Sequence, residues 1–243
     1  MAKVVKACGP ADPAGGLITA IRNRSAKEVS ALLKAGASVQ AIDPESPEPL
    51  DVTCEETDAL IAKLLLRAGA DPNKANGRGM TPVMTGARPG GAEVIKVLIE
   101  NGADVNARDK QGWTALFHVI VLSGMAVRIT SFQSIPEGET LESLLQKQAF
   151  QPVGFAADVV EELIRNGMDP NAQDNEGRTA ITYARTSEAA ELLIKHGASL
   201  TIKDKKGITA EKWMAKNGIS LKPSSSIRGP AKKRVSRNVK RPA

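Results

Sequence analysis

Residues 77–109 begin Gly77-Arg-Gly-Met-Thr-Pro-Val-Met84 and end Glu100-Asn-Gly-Ala-Asp-Val-Asn-Ala-Arg-Asp109. The closing phrase, Gly102 to Ala107, returns along the chain. Its glycine aligns with Gly36, Gly69, Gly167 and Gly197, at spacings of 33, 33, 65 and 30 residues. A second anchor is the threonine before proline or alanine. It falls at Thr81, Thr114, Thr179 and Thr209, at spacings of 33, 65 and 30. Two anchors with the same spacings define a repeat, and a repeat of this length implies a stack of supersecondary units. Such a stack is one quasi-linear body, whatever domain count the length of 243 residues suggests.

Each unit spells two helices. Thr81 followed by Pro82 reads as an N-cap with proline in the first turn, where a missing N–H is harmless. A second, longer helix follows, with Val94, Ile95, Val97, Leu98 and Ile99 at helical spacing. Gly102 stops it, where a left-handed residue is needed. Asn76-Gly77, Asp109…Gly112, Asp174…Gly177 and Asp204…Gly207 supply the turn chemistry of hairpin tips.

Met80-Thr-Pro-Val-Met84, Trp113-Thr-Ala-Leu-Phe117, Arg178-Thr-Ala-Ile-Thr182 and the Gly-Ala-Asp-x-Asn turns resemble ankyrin repeats. The resemblance covers about residues 15–218. It implies an all-α ankyrin-repeat solenoid of about five and a half units, with paired helices and projecting hairpins that form a concave face. The units run 15–43, 44–76, 77–109, 110–174, 175–204 and 205–218, the last a partial cap. Residues 1–14 precede them.

Three departures follow. The histidine of the family's Thr-Pro-Leu-His phrase is replaced by Met84, Phe117 and Thr182, so its internal hydrogen bond is expected to be lost. Unit two opens on Asp43-Pro-Glu-Ser-Pro-Glu-Pro49, which predicts a stiff, irregular loop. Unit four holds about 32 extra residues, placed at 123–155. They include a candidate helix, Glu139 to Phe150, read as packing on the stack or as a partner-contacting lid, with one decayed repeat a third reading that the lack of a Gly-Ala turn near residue 135 opposes.

Composition excludes more than it assigns. No apolar run approaches the ~20 residues of a membrane span. The N-terminus lacks a secretory h-region. Two cysteines, Cys8 and Cys54, make no disulfide framework and fit a reducing, cytoplasmic setting. Only His118 and His196 are present, and no metal-ligand, phosphate-loop or nucleophile motif occurs, so neither catalysis nor a cofactor is expected. Asp169 to Asp174 resembles a calcium loop only faintly, lacking its central glycine and its terminal glutamate.

The expected activity is recognition of a partner protein by a monomeric stack. Arg78, Met80, Lys110, Trp113, Asn175 and Arg178 form the expected contact strip, with Trp113 its anchor. Net charge is +6, but residues 222–243 carry eight Lys and Arg and no acid, leaving −2 for the rest. That tail reads as disordered. Lys232, Lys233, Arg234, Arg237, Lys240 and Arg241 make it a solvated end or a handle for nucleic acid or another polyanion. In a eukaryote it would also resemble a nuclear localisation signal. It holds no aromatic residue to stack on bases.

Overall fold

The computed structural model describes residues 13–41, 47–124, 156–216 and 219. Among these, helices come in pairs. They are α1 (Pro13–Arg22) and α2 (Ala26–Lys34), α3 (Pro49–Glu55) and α4 (Ala59–Arg67), α5 (Pro82–Gly86) and α6 (Ala92–Glu100), and α7 (Ala115–Gly124) and α8 (Ala157–Arg165). A 3-10 turn (Ala180–Tyr183) precedes α9 (Ser187–Lys195), and α10 (Ala210–Lys216) stands alone. The 3-10 turn replaces a helix in the unit that is three residues short between its two anchors. No strand occurs among the described residues, only isolated bridges pairing Gln173 with Thr179 and Lys203 with Thr209.

The first helices form one row, α1, α3, α5, α7, the 3-10 turn and α10, each packed on the next. The second helices form a parallel row through α2, α4, α6 and α8. One continuous core lies between them. Ile61 and Leu65, Val94 and Leu98, and Val159 and Leu163 are wholly buried at equivalent positions of successive second helices. No unit could bury that stripe alone, so the neighbour supplies the apolar partner.

The glycine anchors have a backbone cause. Gly36, Gly69, Gly102, Gly167 and Gly197 end the second helices with φ between +87° and +93°. A Cβ is disfavoured there, which pins the residue type at that place in the repeat.

The asparagine of the Gly-Ala-Asp-x-Asn phrase has a longer reach. Asn73 Nδ2 donates to the Gly102 carbonyl at 2.9 Å, and its Oδ1 accepts from Asp104 N at 2.7 Å. Asn171 repeats the pair with Gly197 at 2.9 Å and Ser199 at 2.7 Å. Asn106 makes one such bond, to Gly167 at 3.3 Å. Each asparagine therefore staples its own turn to the next. The staple from Asn106 crosses the extra segment of unit four, so the stack continues past it.

Some expectations change. Thr81 has N-cap backbone geometry and forms a capping box with Met84, though its hydroxyl reaches no close hydrogen bond, and the Thr179 hydroxyl is buried without a partner. The other half of that box is the Thr81 amide, which donates to the Met84 sulfur at 3.5 Å. In unit three the glycine equivalent to Gly112 is Gly79, at φ +81°, not Gly77. Helix α1 starts at Pro13, two residues before the expected boundary at 15, and α7 runs to Gly124, past the expected start of the insertion at 123. The candidate helix 139–150, residues 42–46 of the proline-rich loop and the basic cluster 232–241 lie outside the described residues.

Candidate functional site

The inner face is built from the hairpin turns and the first helices. Each turn hangs on one side chain. Asp109 Oδ1 accepts from Gln111 N and Trp113 N, both at 2.9 Å. Asp174 holds Glu176 N and Arg178 N at 2.9 and 2.8 Å, and Asp204 holds Lys206 N and Ile208 N at the same distances. Asn76 does so for Arg78 and Met80 at 3.0 and 3.1 Å. A short polar side chain that satisfies two amides closes the turn without a strand ladder.

The second carboxylate oxygen reaches nine residues onward, to the adjoining helix. Asp109 Oδ2 meets His118 Nε2 at 2.9 Å. Asp174 Oδ2 accepts from the Tyr183 hydroxyl at 2.8 Å. Asp204 Oδ2 accepts from the Trp213 indole N–H at 3.2 Å. One position beyond the family histidine, units four to six thus make a turn-to-helix bond with three different donors, while Thr85 of unit three keeps a buried hydroxyl without a partner. A carboxylate only accepts, so His118 Nε2 carries the proton. Burial lowers the His118 pKa, and the bond to Asp109 offsets part of that. Asp204 is held below the ordinary carboxylate range, first by the Ile208 amide and then by Trp213, Lys206 and the nearby Arg178 charge. Burial raises the Tyr183 phenol, with Asp174 acting in the same direction and the Arg178 bond opposing it.

These donors form an aromatic cluster. Trp113 stacks on Phe117 at 5.9 Å between centroids and meets His118 and Tyr183 edge-on at 5.5 and 5.3 Å. Phe117 meets Tyr183 at 5.7 Å. Arg178 extends the cluster into the last unit. Its guanidinium donates to the Tyr183 oxygen at 3.3 Å and lies over the Trp213 ring at 5.2 Å. Lys216 lies over the same ring at 5.6 Å. The chain has seven Phe, Tyr and Trp residues. All four within the described residues, Trp113, Phe117, Tyr183 and Trp213, sit here. An open pocket of about 320 Å³ adjoins the cluster, lined by Arg178, Tyr183, Arg185, Trp213 and Ile219 among others.

The expected contact residues divide into two sets. Met80 and Trp113 are half-buried and pack on the core. Arg178 bridges Tyr183, Trp213 and Asp204, the last at 4.0 Å. Lys110 and Asn175 stitch hairpin tips together: Lys110 Nζ donates to the Gly77 carbonyl at 2.7 Å, and Asn175 Nδ2 to the Lys110 carbonyl at 3.0 Å. Arg78 is exposed at its tip. Trp113 is thus the centre of an internal cluster that shows one side to solvent. Tyr183 and Trp213 escaped the sequence reading, which named His118 but not its bond to Asp109. Their signal is the constant offset of nine from Asp109, Asp174 and Asp204.

The glycine-rich Arg88–Gly91 stretch is the turn between α5 and α6, with Arg88 tied to the carbonyls of Thr85 and Glu55. Asp169 makes a local turn through the Asn171 amide at 2.8 Å. Among the described residues no group of three or more His, Cys, Asp or Glu could hold a metal, and no helix is long and apolar enough to cross a membrane.

The family model for ankyrin repeats, in three copies, matches residues 50–129. Residues 50–129 carry ankyrin repeats. A mimivirus protein from Acanthamoeba polyphaga mimivirus named as ankyrin repeat protein L92 is 40% identical over 58 residues. That match takes in 23% of this chain and only 14% of the viral protein's length. The crystal structure of EF0377, an ankyrin repeat protein, superposes with a TM-score of 0.62 at 24% identity, covering 84% of this chain and 92% of that one. That likeness shows the fold: an all-helical ankyrin solenoid. The family match ends at 129, five residues beyond α7, where the extra segment breaks the 33-residue period. Ankyrin repeats are in general protein–protein interaction modules.

Proposed function

We propose that this chain is a non-catalytic scaffold or adaptor that binds a partner protein on the inner face of its repeats. The observation that carries the reading is the collection of Trp113, Tyr183, Trp213 and Arg178 on one face of the last three units. Aromatic and arginine side chains dominate the energetics of protein interfaces, and these are locked by internal bonds before any partner arrives. A face ordered in advance loses little conformational entropy on binding. The contact strip runs from Arg78 and Met80 through Lys110, Trp113 and Asn175 to Arg178. Affinity purification with the full chain tests it. A partner retained by the wild type is expected to be lost with Arg78→Glu and with Trp113→Ala, each shown folded by circular dichroism. Retention in both would sink the inner-face reading.

The +8 charge of residues 222–243 favours a second reading, a factor that holds nucleic acid or another polyanion through its tail. Binding that vanishes on deleting 222–243 and falls steeply with salt would support it over the first. A partner indifferent to that deletion would support the first.

A further inference from the structure

The pocket beside the 3-10 turn carries charge that the fold does not use. Asp174 and Asp204 are buried, and both oxygens of each accept hydrogen bonds from within the protein. Arg178, which faces Asp204 at 4.0 Å, offsets part of their charge. Arg185 is different. It lines the same pocket, is exposed, and pairs with no carboxylate among the described residues. Lys216, also exposed, lies over the Trp213 ring. The opening therefore has a mixed polar and aromatic lining, with a guanidinium at its edge that no carboxylate among the described residues pairs.

We propose that this pocket binds an acidic peptide segment of a partner protein, a glutamate or aspartate carboxylate meeting Arg185 while its flanking backbone occupies the opening beside Thr182, Ala184 and Ile219. The proposal rests on the inner-face reading above and adds the chemistry of the partner. Arginine presents parallel N–H donors that match a carboxylate in two-pronged fashion. A cavity of about 320 Å³ suits a side chain with its flanking backbone. A nucleic acid fits less well. Strand binding needs open ring faces for bases. Here Trp213 already has two cations over it, and Tyr183 is engaged by Trp113, Phe117 and Arg178.

The test uses the full-length chain labelled with 5-fluorotryptophan. Its two tryptophans, Trp113 and Trp213, give two fluorine resonances, assigned with Trp113→Phe. Titration with octaglutamate is expected to move the Trp213 line saturably. Arg185→Glu should weaken that response at least tenfold and Arg185→Gln less, while Lys63→Glu on α4 should leave it unchanged. The basic tail also attracts octaglutamate, but the tail is common to every variant and contains no tryptophan. A still Trp213 line, or an Arg185→Glu titration equal to wild type, overturns the proposal. So does an oligothymidylate that moves the line with equal or greater affinity, which would make the pocket a general polyanion site. If a partner is held by the inner face yet octaglutamate leaves Trp213 untouched, the acidic chemistry alone fails. If no partner depends on Arg78 or Trp113, the inner-face reading fails first.

Discussion

His118 meets Asp109 at 2.9 Å with only 13% of its side chain exposed, so its protonation is tied to folding. Its folded pKa lies below the ordinary 6.5, with burial as the first cause. Between those two values the unfolded chain binds the extra proton and the folded chain does not, so stability rises with pH. The contribution is complete above 6.5 and is lost as pH falls below it toward the folded value. Thermal melts should thus show a midpoint that drops below pH 6.5, and His118→Gln should flatten that drop; an equal drop in the variant would assign it elsewhere. Thr179 offers a test of the opposite sign. Its hydroxyl is buried and unpaired, and a buried hydroxyl without a partner costs about 1–3 kcal/mol. Thr179→Val keeps the branched shape and removes the oxygen, so it should stabilise by about 1 kcal/mol in denaturant titration. A lower midpoint would show that the hydroxyl does have a partner.

Elements are held together by side chains whose work is not local. Asn73 spans two bonds to the next turn and Asn106 one longer bond. At about 1 kcal/mol net per bond, Asn73→Ala and Asn171→Ala should each cost about 2 kcal/mol, and Asn106→Ala about 1 or less. Urea titrations order the three, and a loss at Asn106 equal to that at Asn73 would contradict the staple. This division also explains what a reader of the sequence can see. The glycine at each second-helix end answers a demand of its own backbone, a φ near +90°, so it recurs at the repeat spacing and is visible. The helices are visible for the same reason, since Val94 to Ile99 carry their period within one segment. The asparagine ladder was legible only as turn chemistry, because its partners belong to the following unit. The aromatic cluster was illegible as a cluster. Trp113 and Tyr183 are 70 positions apart, yet their rings meet at 5.3 Å, and only stacking brings them together. The offset of nine between each aspartate and its donor was present in the sequence, but its three donor types, His118, Tyr183 and Trp213, share no motif.

At the scale of the whole molecule, stability should depend on contacts between neighbouring units and little on what is inserted between helices. Unit four is the place to ask. Helix α8 packs on both α6 and α7, and its Val159, Val160 and Leu163 are wholly buried. Asn106 reaches Gly167 across the break, so the described contacts of α8 are those of an uninterrupted stack. Replacing residues 125–155 by a short Gly-Ser linker is therefore expected to leave a folded, cooperative protein. A shorter loop closes at lower entropic cost, about 0.6 kcal/mol for each halving of its length, so the variant should gain about 1 kcal/mol rather than lose stability. Circular dichroism melts and urea titration of the full chain and the linker variant decide this. Loss of a single cooperative transition, or a fall of several kcal/mol, would mean that residues 125–155 supply part of the core and are not an addition to it. A linker variant that stays folded but no longer retains the partner of the wild type would place the recognition function in the extra segment rather than on the inner face.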